Sequence, residues 1–355
     1  MTQETRQPRQ TRLCRTFQTA PAAVPRENTA KYLDSGLGAE GFEAPDWLVP
    51  DIEDGTAPDM KSAGVENLLD RLPDRAPDFG GEIWPRVEWA HADADTRERG
   101  REQVETLLAE VGDHVDGVVV PKVGRREDVE SALAAVAEAE REYGHPDGSI
   151  EVGVIVETAA AVSDLADIAR LGSDDRLAGL VFGPVDYTAD LGGRSMGGER
   201  PRWDGLLERL SNEASAGGLV AVGGPFDRLF DERAGVSYYN APGYADQVER
   251  EARIGLDGSW SLHPKQTAQA NRIHMPTPGE LDTAVDRIEG FNEARGAGTG
   301  AVVLDGQMVD EATFRNFANT VATVRAIGDA HPAQTDAVYD ADLRDRVRAV
   351  DLGFA

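Results

Sequence analysis

Eight short apolar runs punctuate the chain: Leu13–Ala20, Trp47–Asp54, Ile83–Trp89, Gly117–Val123, Val152–Glu157, Leu177–Asp186, Gly218–Pro225 and Gly258–His263. Most lie about 25–40 residues apart, and the stretches between them are charged with a helical period. Arg125–Tyr143 places Val129, Leu133, Val136 and Ala137 at i, i+4, i+7 and i+8. Thr96–Val111 aligns Val104, Leu107, Leu108 and Val111, and Asp164–Leu171 and Trp203–Ala216 read the same way. Val-Gly-Val-Ile-Val is apolar without alternation, as in a parallel strand covered on both faces. Eight such runs alternating with helices predict an α/β fold, a (β/α)8 TIM barrel. A doubly wound open sheet would alternate too. However, no Gly-x-Gly-x-x-Gly follows an early strand and no Walker loop is present.

The pattern changes after His263. Pro276, Pro278 and Gly279 mark a linker, Glu280–Arg295 reads as a helix and Gly296–Gly300 as a Gly-rich turn. Val302–Val309 reads as a short hairpin or loop, and Glu311–Asp329 and Ala341–Val350 as helices. The expected division is a barrel catalytic domain over 1–275 and a C-terminal helical lid or oligomer-contact segment over 276–355. Composition narrows the setting. The net charge is −28, from 64 acidic and 36 basic residues, and four of the basic residues are Lys (Lys31, Lys61, Lys122, Lys265). Such a surface argues against nucleic acid and anionic membranes as partners, because both need basic patches. It suits a high-salt cytoplasm, where screening confines charge repulsion to a few Å. No run of about 18 apolar residues suggests a membrane span, and the polar N-terminus has no apolar signal core. The single cysteine, Cys14, excludes an intrachain disulfide and a Cys-rich metal cluster. A cytoplasmic location is therefore expected.

In a barrel, chemistry gathers at the C-terminal ends of the strands. Those ends are polar here: Asp51, Glu53 and Asp54; Arg86 and Glu88; Lys122; Glu157; Asp186; His263 and Gln266. A lone acid at a strand end is commonly a solvated residue or a helix cap, but such a succession is not. Glu157 and Asp186, 29 residues apart, sit on successive strands and predict oxygen ligands for Mg2+, or Mn2+ in its place. Arg86, among Trp84, Val87 and Trp89, is expected to point into the barrel mouth. Its partner would be Glu53 or a bound carboxylate or enolate oxygen, unless it forms a purely structural Arg–Glu pair. Lys122 reads as a Schiff-base candidate or a solvated charge. His263 reads as an acid/base, a phosphate contact or a strand cap. Gly183-Pro184 lets backbone approach a ligand closely or forms a plain turn.

Seven motifs carry a resemblance. They are Val-Pro-Asp-Ile-Glu-Asp-Gly-Thr-Ala-Pro (49–58), Pro-Arg-Val (85–87), Val-Val-Pro-Lys-Val (119–123), Ile-Val-Glu-Thr (155–158), Phe-Gly-Pro-Val-Asp-Tyr (182–187), Leu-His-Pro-Lys-Gln (262–266) and Leu-Asp-Gly-Gln-Met-Val-Asp (304–310). Together the chain resembles the citrate lyase β-subunit/malyl-CoA lyase family, in the HpcH/HpaI aldolase group. The resemblance implies Mg2+ on Glu157 and Asp186 and Arg86 on the enolate oxygen; in that mechanism Glu53 is expected to orient Arg86. It also implies Asp310 on a lid that enters a neighbouring subunit's site, where it moves a proton at the enolate carbon. Arg15 falls where the family places a CoA-contacting Arg; with Lys122 and His263 it makes the candidate set for holding the thioester. The implied reaction is reversible cleavage of malyl-CoA or β-methylmalyl-CoA to glyoxylate plus acetyl-CoA or propionyl-CoA, by a homo-oligomer (trimer or hexamer). The alternatives are malate synthase, a citrate lyase β-subunit, or a silent metabolite-binding subunit.

Overall fold

A computed structural model describes residues 12–25, 29–173, 176–194, 203–233 and 235–353. The chain divides into two compact units, Cys14–His274 and a second built from Met275–Ala355 with the residues up to Leu13.

In the first unit, parallel strands alternate with helices: β1 (Thr16–Pro21), α1 (Lys31–Leu37), β2 (Trp47–Asp51), α2 (Lys61–Arg75), β3 (Glu82–Ile83), α3 (Ala94–Val111), β4 (Gly117–Val120), α4 (Arg126–Tyr143) and β5 (Glu151–Val156). Two short helices follow, α5 (Ala159–Ser163) and α6 (Leu165–Ala169), then β6 (Leu177–Phe182), α7 (Pro184–Asp190), α8 (Asp204–Gly217) and β7 (Val220–Val222). A hairpin, β8 (Phe230–Arg233) and β9 (Val236–Tyr239), precedes α9 (Ala241–Ile254), β10 (Ser259–Ser261) and α10 (Pro264–Ile273). The ladders run β10-β1-β2-β3 and β4-β5-β6-β7. Single parallel bridges, Arg86 to Val119 and Val222 to Gly258, join them on both sides. The eight parallel strands thus form the expected barrel. β3 is shorter than predicted because Pro85 has no N–H to give the ladder, which resumes at Arg86. β6 ends four residues early because Pro184 opens a helix there. Asp164 separates two short helices where one was expected.

Strand alternation sends one set of side chains inward. Trp47 and Trp84 stack at 3.9 Å between centroids, and Phe17 meets Trp260 edge-on at 5.0 Å. Val119, Ile155, Val181 and Val220 fill the rest. A Cβ at Gly117 would strike the Trp84 ring, so glycine is required there. The other set, including Leu48, Val118, Val152 and Leu180, packs on helix residues such as Leu68, Leu107 and Leu133. Each fully buried Leu of this layer contributes roughly 1.5–3 kcal/mol. One sector is polar instead. Behind β1 and β10, Thr16 bonds Asn271 (3.2 Å), Thr267 bonds Gln18 (2.5 Å) and Ser261 (2.8 Å), and Ser259 bonds both Glu251 (2.5 Å) and His274 (3.0 Å).

The second unit holds α11 (Pro278–Gly296), the hairpin β11 (Ala301–Leu304) and β12 (Gln307–Asp310), α12 (Glu311–Ala330), α13 (Pro332–Val338) and α14 (Ala341–Ala349). Thr277 and Glu280 form a capping box on α11. Asp305 and Gly306, both at positive φ, turn the hairpin as a type I′ pair does. Leu281, Ile288, Phe291, Phe314 and Val321 are buried. No helix among the described residues is long and apolar enough to cross a membrane.

Burial lowers the His274 pKa to about 4, the nearby Arg15 adding to the effect. A depressed base costs stability below its unfolded value: the unfolded chain takes up a proton near pH 6.5 and the folded chain does not until about pH 4. Between those pH values this group should remove about 3 kcal/mol of stability. Urea unfolding of wild type and His274→Asn across that window should show the variant's disadvantage shrinking by that amount as pH falls.

Candidate active site

The site grows from the ends of β2 and the segment after β3. Arg86 bridges both neighbouring strands, Asp51 on one side and Val119 on the other, which fixes its backbone in the barrel wall. Its guanidinium forms a two-point pair with Asp51, Nε to Oδ1 at 2.8 Å and Nη2 to Oδ2. Asp51 also accepts the N–H groups of Glu53 (2.8 Å) and Gly55 (2.8 Å), so both oxygens are saturated. Glu53 takes a more distant place, 3.4 Å from Nη1. Glu53, a candidate partner of Arg86, does pair with it, but the two-point partner is Asp51, which is not among the expected partners. Burial opposes the Arg86 charge, but Asp51, then Glu53 and Glu157, outweigh it and keep its pKa above the ordinary value. The Trp260 ring lies 5.8 Å from the guanidinium carbon, inside the mouth.

Glu53 is buried and joins two cations. One oxygen meets the Lys122 ammonium, and the other accepts the Asp54 N–H at 2.8 Å and faces Arg86. Burial raises its pKa, and Arg86 and Lys122 limit the rise. Lys122 also contacts Asp54 at 2.6 Å. Burial works against its charge, and Asp54 and Glu53 more than offset this, leaving its pKa above the usual lysine value. A lysine so firmly protonated is no Schiff-base nucleophile, and its ammonium is committed to two carboxylates rather than to a thioester. Its backbone is in the left-handed region at φ 48. That turn aims its N–H at Glu157 Oε1 (2.8 Å) while its carbonyl accepts the His91 N–H (3.0 Å).

Glu157 follows β5 and is 3% exposed. Burial, then the charge of Asp186, pushes its pKa up to about 8, against the Lys122 N–H and Arg86. Asp186, half-buried, sits in the first turn of α7 rather than on the strand. Gly183 makes the approach of the two elements feasible: a Cβ there would fall 2.6 Å from the Glu157 Cβ. Two carboxylates that oppose each other's ionisation suit a hard divalent cation, which would reverse that repulsion. Among the described residues no group of three or more His, Cys, Asp or Glu could hold a metal. Glu157 and Asp186 would thus leave most coordination positions to water and substrate oxygens.

Other predicted residues lie elsewhere. Arg15 precedes β1, at the opposite strand end from this cluster, and is 2% exposed. It donates to Asp46 from Nε (3.0 Å), Nη2 (2.7 Å) and its backbone N–H (2.6 Å). A CoA-contacting role is therefore corrected to a structural ion pair beneath the barrel. His263 caps α10: its Nδ1 accepts the Lys265 N–H at 3.0 Å, and burial and Lys265 lower its pKa. Tyr239 of the β8–β9 hairpin lies 6.1 Å from its ring. Asp310 belongs to the second unit, where it caps α12 by accepting from Thr313 N (3.0 Å) and Oγ1 (2.8 Å). Those bonds lower its pKa and keep it ionised. Sequence reasoning undervalued Asp51; Gly55, four residues on, is the available signal, since a Cβ there would collide with the Asp51 carboxylate.

The HpcH/HpaI aldolase/citrate lyase family profile matches residues 38–224. A protein of Haloarcula marismortui named L-malyl-CoA/beta-methylmalyl-CoA lyase is 65% identical over 344 residues, covering 97% of this chain and 99% of that one. Haloferax volcanii malate synthase, solved as a pyruvate/acetyl-CoA ternary complex, superposes with a TM-score of 0.69 at 31% identity, covering 96% of this chain and 99% of that one. Its magnesium/glyoxylate complex gives 0.70 at 30%, with the same coverage. The chain carrying the Asp51–Arg86 pair and the Glu157/Asp186 acids belongs to the HpcH/HpaI aldolase/citrate lyase family.

Proposed function

We propose that this protein is a Mg2+-dependent carbon–carbon lyase that reversibly cleaves malyl-CoA or β-methylmalyl-CoA to glyoxylate plus acetyl-CoA or propionyl-CoA. The observation that carries the reading is a buried, clamped Arg86 beside the Glu157/Asp186 pair. The 65% identical Haloarcula protein bears this activity in its name, and the solved relative takes magnesium, glyoxylate and acetyl-CoA.

Glu157 and Asp186 are the ligands of Mg2+, which when bound would polarise the oxygens at the glyoxylate end of the substrate. Cleavage leaves negative charge on the thioester oxygen, and Arg86 is the cation held ready for it. Asp51 takes Nε and Nη2, and Nη1, flanked by Glu53 at 3.4 Å, is the nitrogen offered to substrate. Glu53 links Arg86 to Lys122, and the Lys122 N–H orients Glu157. Asp310, ionised, suits a base that takes a proton from the acyl carbon in the condensation direction and returns it after cleavage. We place it in the site of a neighbouring copy of the chain, making a homo-oligomer (trimer or hexamer) the working unit. His263, at the C-terminal end of β10, contacts the CoA thioester, and the enzyme works in the cytoplasm of a salt-rich cell.

Incubation of the protein with malyl-CoA or β-methylmalyl-CoA, Mg2+ and high KCl should release glyoxylate, and Glu157→Gln should abolish it at any accessible Mg2+ level. Arg86→Lys, which loses the two-point clamp, should lower kcat about 10²–10³-fold. Absence of Mg2+-dependent turnover on every CoA thioester would refute the assignment. Asp310→Asn should be inactive alone, yet mixing it with inactive Glu157→Gln under subunit exchange should restore activity; no restoration would place Asp310 outside a neighbour's site. A malate synthase reading draws on the Haloferax structures. Acetyl-CoA plus glyoxylate should give malyl-CoA without free thiol; stoichiometric thiol release would favour the synthase.

A further inference from the structure

We infer that Glu251, on α9 behind the barrel wall, is a positioning residue for Asp186. The inference rests on the reading of Glu157 and Asp186 as cation ligands. Glu251 is 1% exposed, and among the described residues its carboxylate is held by hydrogen bonds, with the Arg250 charge acting from further off. Its carboxylate accepts from Ser259 Oγ (2.5 Å) and from Gln247 Nε2 (2.9 Å), and the neighbouring Gly224 backbone favours its charge. Gln247 Nε2 also donates to the Gly224 carbonyl at 2.7 Å. Two residues one helical turn apart thus border the Gly223–Gly224 segment just past the end of β7: a Cβ at Gly223 would strike the Glu251 carboxylate, and Gln247 bonds the carbonyl of Gly224.

That glycine bears on the site. A Cβ at Gly224 would lie 2.6 Å and 2.7 Å from Cδ and Cγ of Pro184. Pro184 is the first residue of α7, and Asp186 stands in the same turn. The proline ring has no rotamer by which to retreat. On the other flank, Gly183 abuts Glu157. The α7 N-terminus is therefore wedged between Gly224 and Glu157, and Glu251 with Gln247 sets one side of the wedge. Gly224 is outside the left-handed region, so alanine there is conformationally allowed and its main effect is to push on Pro184.

Mn2+ binding to the metal-free, full-length protein in high KCl, followed by electron paramagnetic resonance, tests this without turnover. Glu251→Gln and Gly224→Ala should each weaken Mn2+ about tenfold or more, as loss of an outer support does at metal sites. Gly224→Ala changes no charge, which separates displacement from long-range electrostatics. Leu72→Ala, a core truncation in α2, should be destabilised in thermal unfolding yet bind Mn2+ as wild type does. Wild-type affinity in either Glu251→Gln or Gly224→Ala, or an equal loss in Leu72→Ala, overturns the inference. Glu157→Gln binding Mn2+ normally would instead sink the ligand assignment itself.

Discussion

The Asp51–Arg86 pair is the constraint on which the site depends. A guanidinium this deeply placed is stable only while its partner is present, because removing one side of a buried pair leaves an uncompensated charge costing roughly 3–5 kcal/mol. Asp51 meets that demand with both oxygens and is itself neutralised by two backbone N–H groups of the turn that follows β2. The turn, the strand end and the cation are thus one hydrogen-bonded object. Under the proposed mechanism this is preorganisation: Arg86 need not reorient when charge develops on the substrate.

Around that pair, charges alternate rather than accumulate. Asp51, Arg86, Glu53, Lys122 and Asp54 form a chain in which each cation touches two anions. The alternation fails at Glu157 against Asp186, where each carboxylate faces the other's charge. In a chain of net charge −28, nearly every lysine has been dispensed with, yet one of the four, Lys122, is spent inside this network.

The barrel was legible because burial on both faces writes itself as uninterrupted apolar runs, and Gly-Val-Val-Val or Leu-Ala-Gly-Leu-Val-Phe admits little else. The cluster was legible in outline because charged residues closed those runs. What the residues alone could not convey was which acid faces which cation. Asp51 and Glu53 are two positions apart, and the choice between them depends on a turn whose geometry is set by Gly55. Arg15 misled for a related reason: proximity to a strand does not say at which end of it the side chain lies, and here Asp46 claims it below the barrel. The β8–β9 hairpin and α9 escaped notice because their apolar content is sparse and interrupted by charge. Glu251 is a buried acid with no mark in the local sequence; the role proposed for it rests on the close approach of Gly223 to its carboxylate and of Gly224 to Pro184.

The polar sector behind β1 and β10 has a consequence for biosynthesis. Thr16 meets Asn271, Gln18 meets Thr267 and Thr19 meets Trp260 across separations of 255, 249 and 241 residues. None of these bonds can form until nearly the whole barrel has left the ribosome. Until then the nascent sheet has two open margins, β1 on one side, and such margins template aggregation when they are apolar. Lining the last seam with hydroxyls and amides keeps the waiting edge wet. It also makes closure directional, because hydrogen bonds, unlike greasy contacts, reject a strand that arrives one residue out of step.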